Sequence, residues 1–179
     1  GKEAKERLGG VEMAFVQMNG RTGVVEVLLG GVSFKRASFN RAIQSRRSIG
    51  SIVKPLLFAF AFDRGAVEPQ QEFVNERVTY KDGSGRDWSP RNFDGQYDEQ
   101  DWNLSDALAF SVNTIAVQVL AEVGVKAFAA FLNRMSPGLE VGDHWSNGLG
   151  SFGMSPLQLA RLFSVFPGTG VVKDPILIH

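Results

Sequence analysis

Apolar and polar positions alternate near the start of this chain, and there only in part. Residues 11–18, VEMAFVQM, read as a strand, NGRTG at 19–23 as a turn, and VVEVLLGG at 24–31 as the returning strand. Asn-Gly tolerates positive φ, so the stretch predicts a β-hairpin. From Ser51 the pattern changes. SIVKPLLFAFAF, residues 51–62, carries one charge, Lys54, before Asp63. This predicts a helix from about Ser51 to Arg64, closed by Gly65. Its apolar residues fall on almost every side, so it should be buried all round. Pro55 fits only in the first turn, where N–H groups have no partner inside the helix, and so places the start at the Gly50-Ser51 step. Further helices are predicted at 103–110 (capped by Asn103 or Ser105), 113–124 (ended by Gly124), 125–135 and 155–166. The last has Ser155 as cap, Pro156 at the first position and Gln158 completing a capping box. GVVKDPILI at 170–178 reads as a strand. Phe58, Phe60, Phe62, Phe110, Phe128, Phe131, Phe163 and Phe166 are expected in the core.

Two stretches lack such a pattern. Residues 32–50 contain Lys35, Arg36, Arg41, Arg46 and Arg47 with no acid among them. They read as a solvated loop or as a rim attracting an anionic substrate. Residues 66–103, with KDGSGRD and SPRNFDGQYDEQD, read as long surface loops with turn chemistry. A loop region of that length in a compact domain is usually functional or an excursion from the fold.

Composition narrows the function classes. With 179 residues, 44% hydrophobic and 21% charged, the chain can bury a sizeable core. Its 19 basic and 19 acidic residues give zero net charge, which argues against nucleic acid as a partner. There is no cysteine, hence no disulfide frame and no thiolate nucleophile. No apolar run reaches the ~18 residues of a membrane span, and no signal peptide is visible at the start. GKEAKERLGG at the start reads as a cut inside a longer protein, and KDPILIH at the end stops inside a strand. His144 and His179 have no third partner in sight for a metal site or a Ser-His triad. Asp94, Asp98, Glu99 and Asp101 read as a solvated acidic loop sooner than a calcium loop.

Ser51 and Lys54 carry the candidate chemistry. Residues i and i+3 share a helix face, so hydroxyl and amine can meet. A serine hydroxyl is a weak nucleophile until a base takes its proton. Lysine can be that base only if its pKa falls far below ~10.4. Burial beside apolar residues would lower it, and so would the positive end of the helix dipole. The plainer reading is a cap serine beside a snorkelling lysine. A second pattern, Ser111-x-Asn113, lies between two predicted helices, where a short loop can point side chains into a cleft. Ser38-x-Asn40 repeats the pattern but precedes Ser51 in the basic loop.

Ser-x-x-Lys followed by Ser-x-Asn is the pairing of serine acyltransferases that react with penicillin. FNRAIQSRRSIGSIVKPLLFAFAFDRG, SPRNFDGQYDEQDWNLSDALAFSVNTIAVQVLAEVG and GLGSFGMSPLQLARLFSVF resemble, in order, the transpeptidase domain of class A, bifunctional penicillin-binding proteins. EMAFVQMNGRTGVVEVLLGG resembles the first two strands of that domain. The resemblance implies an α+β penicillin-binding/β-lactamase-like transpeptidase fold over residues 1–179, an antiparallel sheet packed against a helical region. It implies Ser51 as acylated nucleophile and Lys54 as its base. Ser111 would pass protons to the leaving group, and Asn113 would orient Lys54 and the substrate amide. Peptidoglycan stem peptides ending in D-Ala-D-Ala and β-lactam antibiotics would be the partners, with no metal or organic cofactor. An anchor outside this chain would hold the protein at the extracytoplasmic face of the bacterial membrane. The chain departs from the family in SIGS, where Gln-Pro-Gly-Ser is usual, and in FPGTG, where Phe-Ala-Asn-Gly-Gly-like text is common. The family's third motif, Lys-Thr-Gly on a later strand, is expected to lie beyond this chain, leaving the fold incomplete here. Two other functions fit the same residues: a penicillin-binding sensor or pseudoenzyme, and a D,D-carboxypeptidase or β-lactamase with water as acceptor.

Overall fold

A computed structural model describes residues 11–35 and 37–177. Arg36, Ile178 and His179 lie outside them, as does the opening decapeptide. In chain order the elements are strands β1 (Phe15–Met18) and β2 (Val25–Leu29), helix α1 (Arg41–Gln44), a 3₁₀ turn (Gly50–Val53) and helix α2 (Lys54–Asp63). Strands β3 (Glu72–Val74), β4 (Tyr80–Lys81), β5 (Asp87–Trp88) and β6 (Asp101–Asn103) follow. Then come helices α3 (Leu104–Ala109), α4 (Asn113–Val123) and α5 (Val125–Met135), a second 3₁₀ turn (Trp145–Leu149) and helix α6 (Pro156–Phe163). The chain divides into two compact units, Gly1–Arg47 with Met154–His179, and Ser48–Gly153.

In the first unit β1 and β2 pair antiparallel, Phe15 opposite Leu29, as the sequence predicts. The turn closes on Asn19, whose Oδ1 accepts from Arg21 N and Thr22 N at 3.0 and 3.1 Å. The basic stretch holds α1, capped by Asn40, whose Oδ1 accepts from Ala42 N. Arg41 is ion-paired to Glu12 at 3.3 Å. The capping box of α6 forms as predicted, with Ser155 Oγ accepting from Gln158 N and Gln158 Oε1 from Ser155 N. The strand expected at 170–178 does not form within the described residues. Only Ile176 makes a parallel bridge, to Val24. Lys173 N instead donates to Ser164 Oγ at 2.8 Å, and Asp174 is ion-paired to Arg161. The segment is tied to the end of α6 and forms no ladder.

In the second unit α2 buries Lys54, Leu56, Leu57, Phe58, Phe60 and Ala61, on all sides as predicted. It packs against α4, whose Ile115, Ala116, Val117, Val119 and Leu120 are fully buried. Phe60 stacks on Phe131 of α5, ring centroids 4.5 Å apart. The helix start differs from expectation. An α-helix from Ser51 would need the N–H of residue 55 to donate to Ser51 O. Pro55 has none. Lys54 N donates there instead, so Gly50–Val53 is a 3₁₀ turn and α2 begins at Lys54.

Residues 66–103 also contain more order than the loops predicted. β3 pairs antiparallel with β6, and β4 with β5. Strands of two and three residues are too short to register as alternation. Tertiary contacts hold them: the Trp145 ring stacks on Tyr80 at 4.2 Å, and its Nε1 donates to Lys81 O. Phe110 and Phe166 are exposed, contrary to the expectation of core aromatics. Phe110 lies at the C-cap of α3, past the helix's packed face, edge-on to Trp102.

Candidate active site

The second unit brings three of the four predicted site residues into contact and sets the fourth one turn away. Ser51 is exposed in the 3₁₀ turn, and its hydroxyl makes no hydrogen bond among the described residues. The turn is fixed by a close approach of two backbones. Gly50 has φ +56° and Gly150 φ +69°. Gly50 N donates to Gly150 O at 3.1 Å, and a Cβ on Gly150 would lie 2.1 Å from Gly50 O. Only glycine fits there. Ser48 Oγ also donates to Gly150 O, at 2.6 Å.

Lys54, first residue of α2, is 1% exposed. Its Nζ donates to Ser111 O at 2.5 Å, Ser111 Oγ at 2.9 Å and Asn113 Oδ1 at 2.6 Å. Each ammonium proton therefore has an acceptor, but no carboxylate pairs with it among the described residues. Burial without a counter-ion lowers its pKa from 10.5 to about 8. The side chain runs from the N-terminus of α2 to that of α4, so two positive helix ends face it.

Ser111 sits between α3 and α4 with φ +59°, a left-handed conformation that strains a residue with a Cβ. Ser111 N donates to Leu108 O, and Ser111 O receives Lys54. The turn thus aims both serine oxygens at the amine. Asn113 opens α4, and its Nδ2 donates to Arg91 O at 2.7 Å. That bond fixes which end of the amide faces Lys54, leaving Oδ1 as the acceptor.

Two further residues of this site escape a reading of short motifs. Val112, the N-cap of α4, has no polar side chain to cap with. Asn92 supplies the cap from a distant loop, its Oδ1 accepting from Asn113 N at 3.0 Å and Thr114 N at 3.3 Å. Asn75, 6% exposed, receives Asn92 Nδ2 and Thr114 Oγ1 on its Oδ1 and donates to Asp98. Asp98 is exposed, and only the loss of some of its hydration works to raise its carboxyl. The bonds from Gln100 N, the Trp102 indole and Asn75 outweigh it and hold the group below its ordinary value. Asp98 is thus tied into the fold, while Asp94 accepts from Gln96 N in its own turn. His144 lies in the second 3₁₀ turn's approach, away from these contacts.

A buried lysine bonded to a Ser-x-Asn turn, one helical turn after an exposed serine, belongs to a known group. The chain is a member of the penicillin-binding protein transpeptidase domain family, which it matches over residues 13–179. Penicillin-binding protein 1A of Escherichia coli (strain K12) is 32% identical over 169 residues, 94% of this chain and 20% of that protein. Its counterpart in Vibrio cholerae is 34% identical over 168 residues, 92% of this chain and 20% of that protein. Among solved structures, penicillin-binding protein 1A from Haemophilus influenzae aligns with a TM-score of 0.83 at 28% identity, over 92% of this chain and 24% of that one. PBP2 of Pseudomonas aeruginosa, solved in complex with WCK 5153, shares the fold, with a TM-score of 0.75 at 21% identity over 97% of this chain and 50% of that one. The chain spans about a fifth of the length of these curated relatives.

Proposed function

We propose that this domain is a serine D,D-transpeptidase that cross-links peptidoglycan stem peptides through an acyl-enzyme on Ser51. The observation that carries it is the buried Lys54 Nζ, bonded to Ser111 and Asn113 one turn after an exposed, unbonded serine. With a pKa of about 8, roughly a tenth of the amine is neutral at pH 7. A neutral amine has two N–H bonds and a lone pair, so one of its three contacts must reverse. The Ser111 hydroxyl can turn from acceptor to donor, which lets it hold either state and pass a proton.

In the first step Ser51 Oγ attacks the carbonyl carbon of the penultimate D-alanine, and its proton moves to Lys54 Nζ. The tetrahedral intermediate collapses, the peptide C–N bond breaks, and D-alanine leaves with a proton relayed through Ser111. A stem-peptide amine then attacks the ester, gives up its proton along the same route and frees Ser51. Gly50 N and Ile52 N are already bonded, to Gly150 O and Ile49 O, whereas Ser51 N has no acceptor among the described residues, so it can donate to the developing oxyanion. A β-lactam opens in the first step and leaves no departing amine, so the ester persists. The reaction needs no metal or organic cofactor. The substrate places the domain at the outer face of the bacterial membrane, held by an anchor outside this chain.

The test is intact mass of the full-length protein before and after incubation with benzylpenicillin. A stable adduct of one penicillin on the wild type, and none on Ser51→Ala, is expected. A wild type that stays unmodified would favour the pseudoenzyme. An adduct lost within minutes would favour a carboxypeptidase or β-lactamase with water as acceptor.

A further inference from the structure

Asn92 lies in the loop between β5 and β6, and none of the short motifs includes it. Every polar atom of its side chain is used. Oδ1 accepts from the first two N–H groups of α4, those of Asn113 and Thr114. Nδ2 donates to Asn75 Oδ1 at 2.8 Å and Gln96 O at 2.9 Å. The residue before it, Arg91, offers the carbonyl that holds Asn113 Nδ2. One loop therefore grips Asn113 by main chain and side chain together. Behind Asn92 stands Asn75, buried and itself held by Thr114 Oγ1 and Asp98. The connected path runs Asp98, Asn75, Asn92, Asn113, Lys54. No buried side-chain nitrogen or oxygen among the described residues is left without a partner. A network satisfied throughout has one low-energy arrangement, because flipping any amide would set donor against donor.

We propose that Asn92, anchored by Asn75 and Asp98, is a positioning residue for acylation. It clamps the first turn of α4 so that Asn113 presents its oxygen, and not its NH₂ group, to Lys54. This inference rests on the acylation of Ser51 proposed above. Without the clamp the start of α4 has no side-chain cap, since Val112 cannot supply one. Asn113 is then free to turn its amide, and Lys54 loses an oriented acceptor. Among the described residues no charged group pairs with Lys54, so its titration reports these neutral contacts directly.

The test compares wild-type, Asn92→Ala and Asn92→Asp full-length proteins by the second-order rate constant for benzylpenicillin labelling, measured from pH 6 to 10. Asn92→Ala should lose on the order of 10- to 100-fold at the plateau, the scale of a misplaced reacting group. Its inflection should move below that of the wild type, because the ammonium form has lost an acceptor. Asn92→Asp keeps an oxygen at the helix start but loses the bonds to Asn75 and Gln96, so it should recover part of the rate. Its added negative charge should move the inflection above the wild-type position. A merely structural residue would change thermal stability in both variants and move neither inflection. Wild-type rate and inflection in Asn92→Ala would overturn the proposal. Should Asn92→Ala not fold, an Asn92→Asp inflection unchanged from wild type overturns it equally. A wild type that does not label at all overturns the acylation reading and this one with it, whereas a labelled wild type with indifferent Asn92 variants overturns this one alone.

Discussion

Lysine in water holds its proton to high pH, and Lys54 is kept from water with no carboxylate beside it among the described residues. Its folded pKa of about 8 lies below the ordinary 10.5, so between those values the unfolded chain binds the extra proton. Stability from this group therefore rises with pH across that window and is lowest below it. The difference corresponds to about 3 kcal/mol. Urea unfolding of the wild type against Lys54→Met should show the wild type gaining roughly this much more from pH 7.5 to 10.5, since methionine has no proton to lose. Parallel curves for the two proteins would mean that Lys54 is not desolvated as its burial indicates. At this scale Ser51, Lys54, Ser111 and Asn113 were legible because each pair sits within three residues. Asn92 and Asn75 were not. Their bonds to α4 span 21 and 39 residues, and an asparagine in a loop looks the same whether it caps a distant helix or faces water.

Among elements, local chemistry was readable and non-local support was not. Asn19 closing the hairpin, Asn103 and Ser155 as caps, and Gly124 ending α4 all follow from neighbours in sequence. The 3₁₀ start at Gly50 was hidden in the same proline that placed the helix, because the proline's missing N–H dictates the tighter turn as well as the start. The exposed Phe110 shows the limit of reading aromatics as core. The turn carrying Ser51 depends on the 3₁₀ turn Trp145–Leu149, whose capping residue is Gly150. Gly150→Ala would force a methyl to 2.1 Å from Gly50 O and strain φ at +69°. A loss of at least ~2 kcal/mol of stability is expected, together with a fall in penicillin labelling. Thermal unfolding and the labelling rate, measured side by side, check this. Full retention of both would mean the two backbones separate easily.

Over the whole molecule, all four predicted site residues and the loop that bonds to Asn113 lie in one compact unit, Ser48–Gly153. That unit begins just before Ser51 and ends just past Gly150, which braces its turn. The α+β class and the family were readable because three long segments kept their order. The short strands were not, because their pairing is decided across the fold. The Ser48 to Gly150 bond joins residues 102 apart in the chain. Loop closure of that length is entropically unfavourable until other contacts have shortened the path. The turn carrying Ser51 should therefore be among the last features to set during folding, even though it precedes Gly150 in the chain. In refolding from urea, helical signal should return before competence to react with a fluorescent penicillin, and the lag should lengthen in Gly150→Ala. Equal rates for the two signals would contradict this order. On the acylation proposed for Ser51, a newly made chain would then stay unreactive until its distal segment arrives.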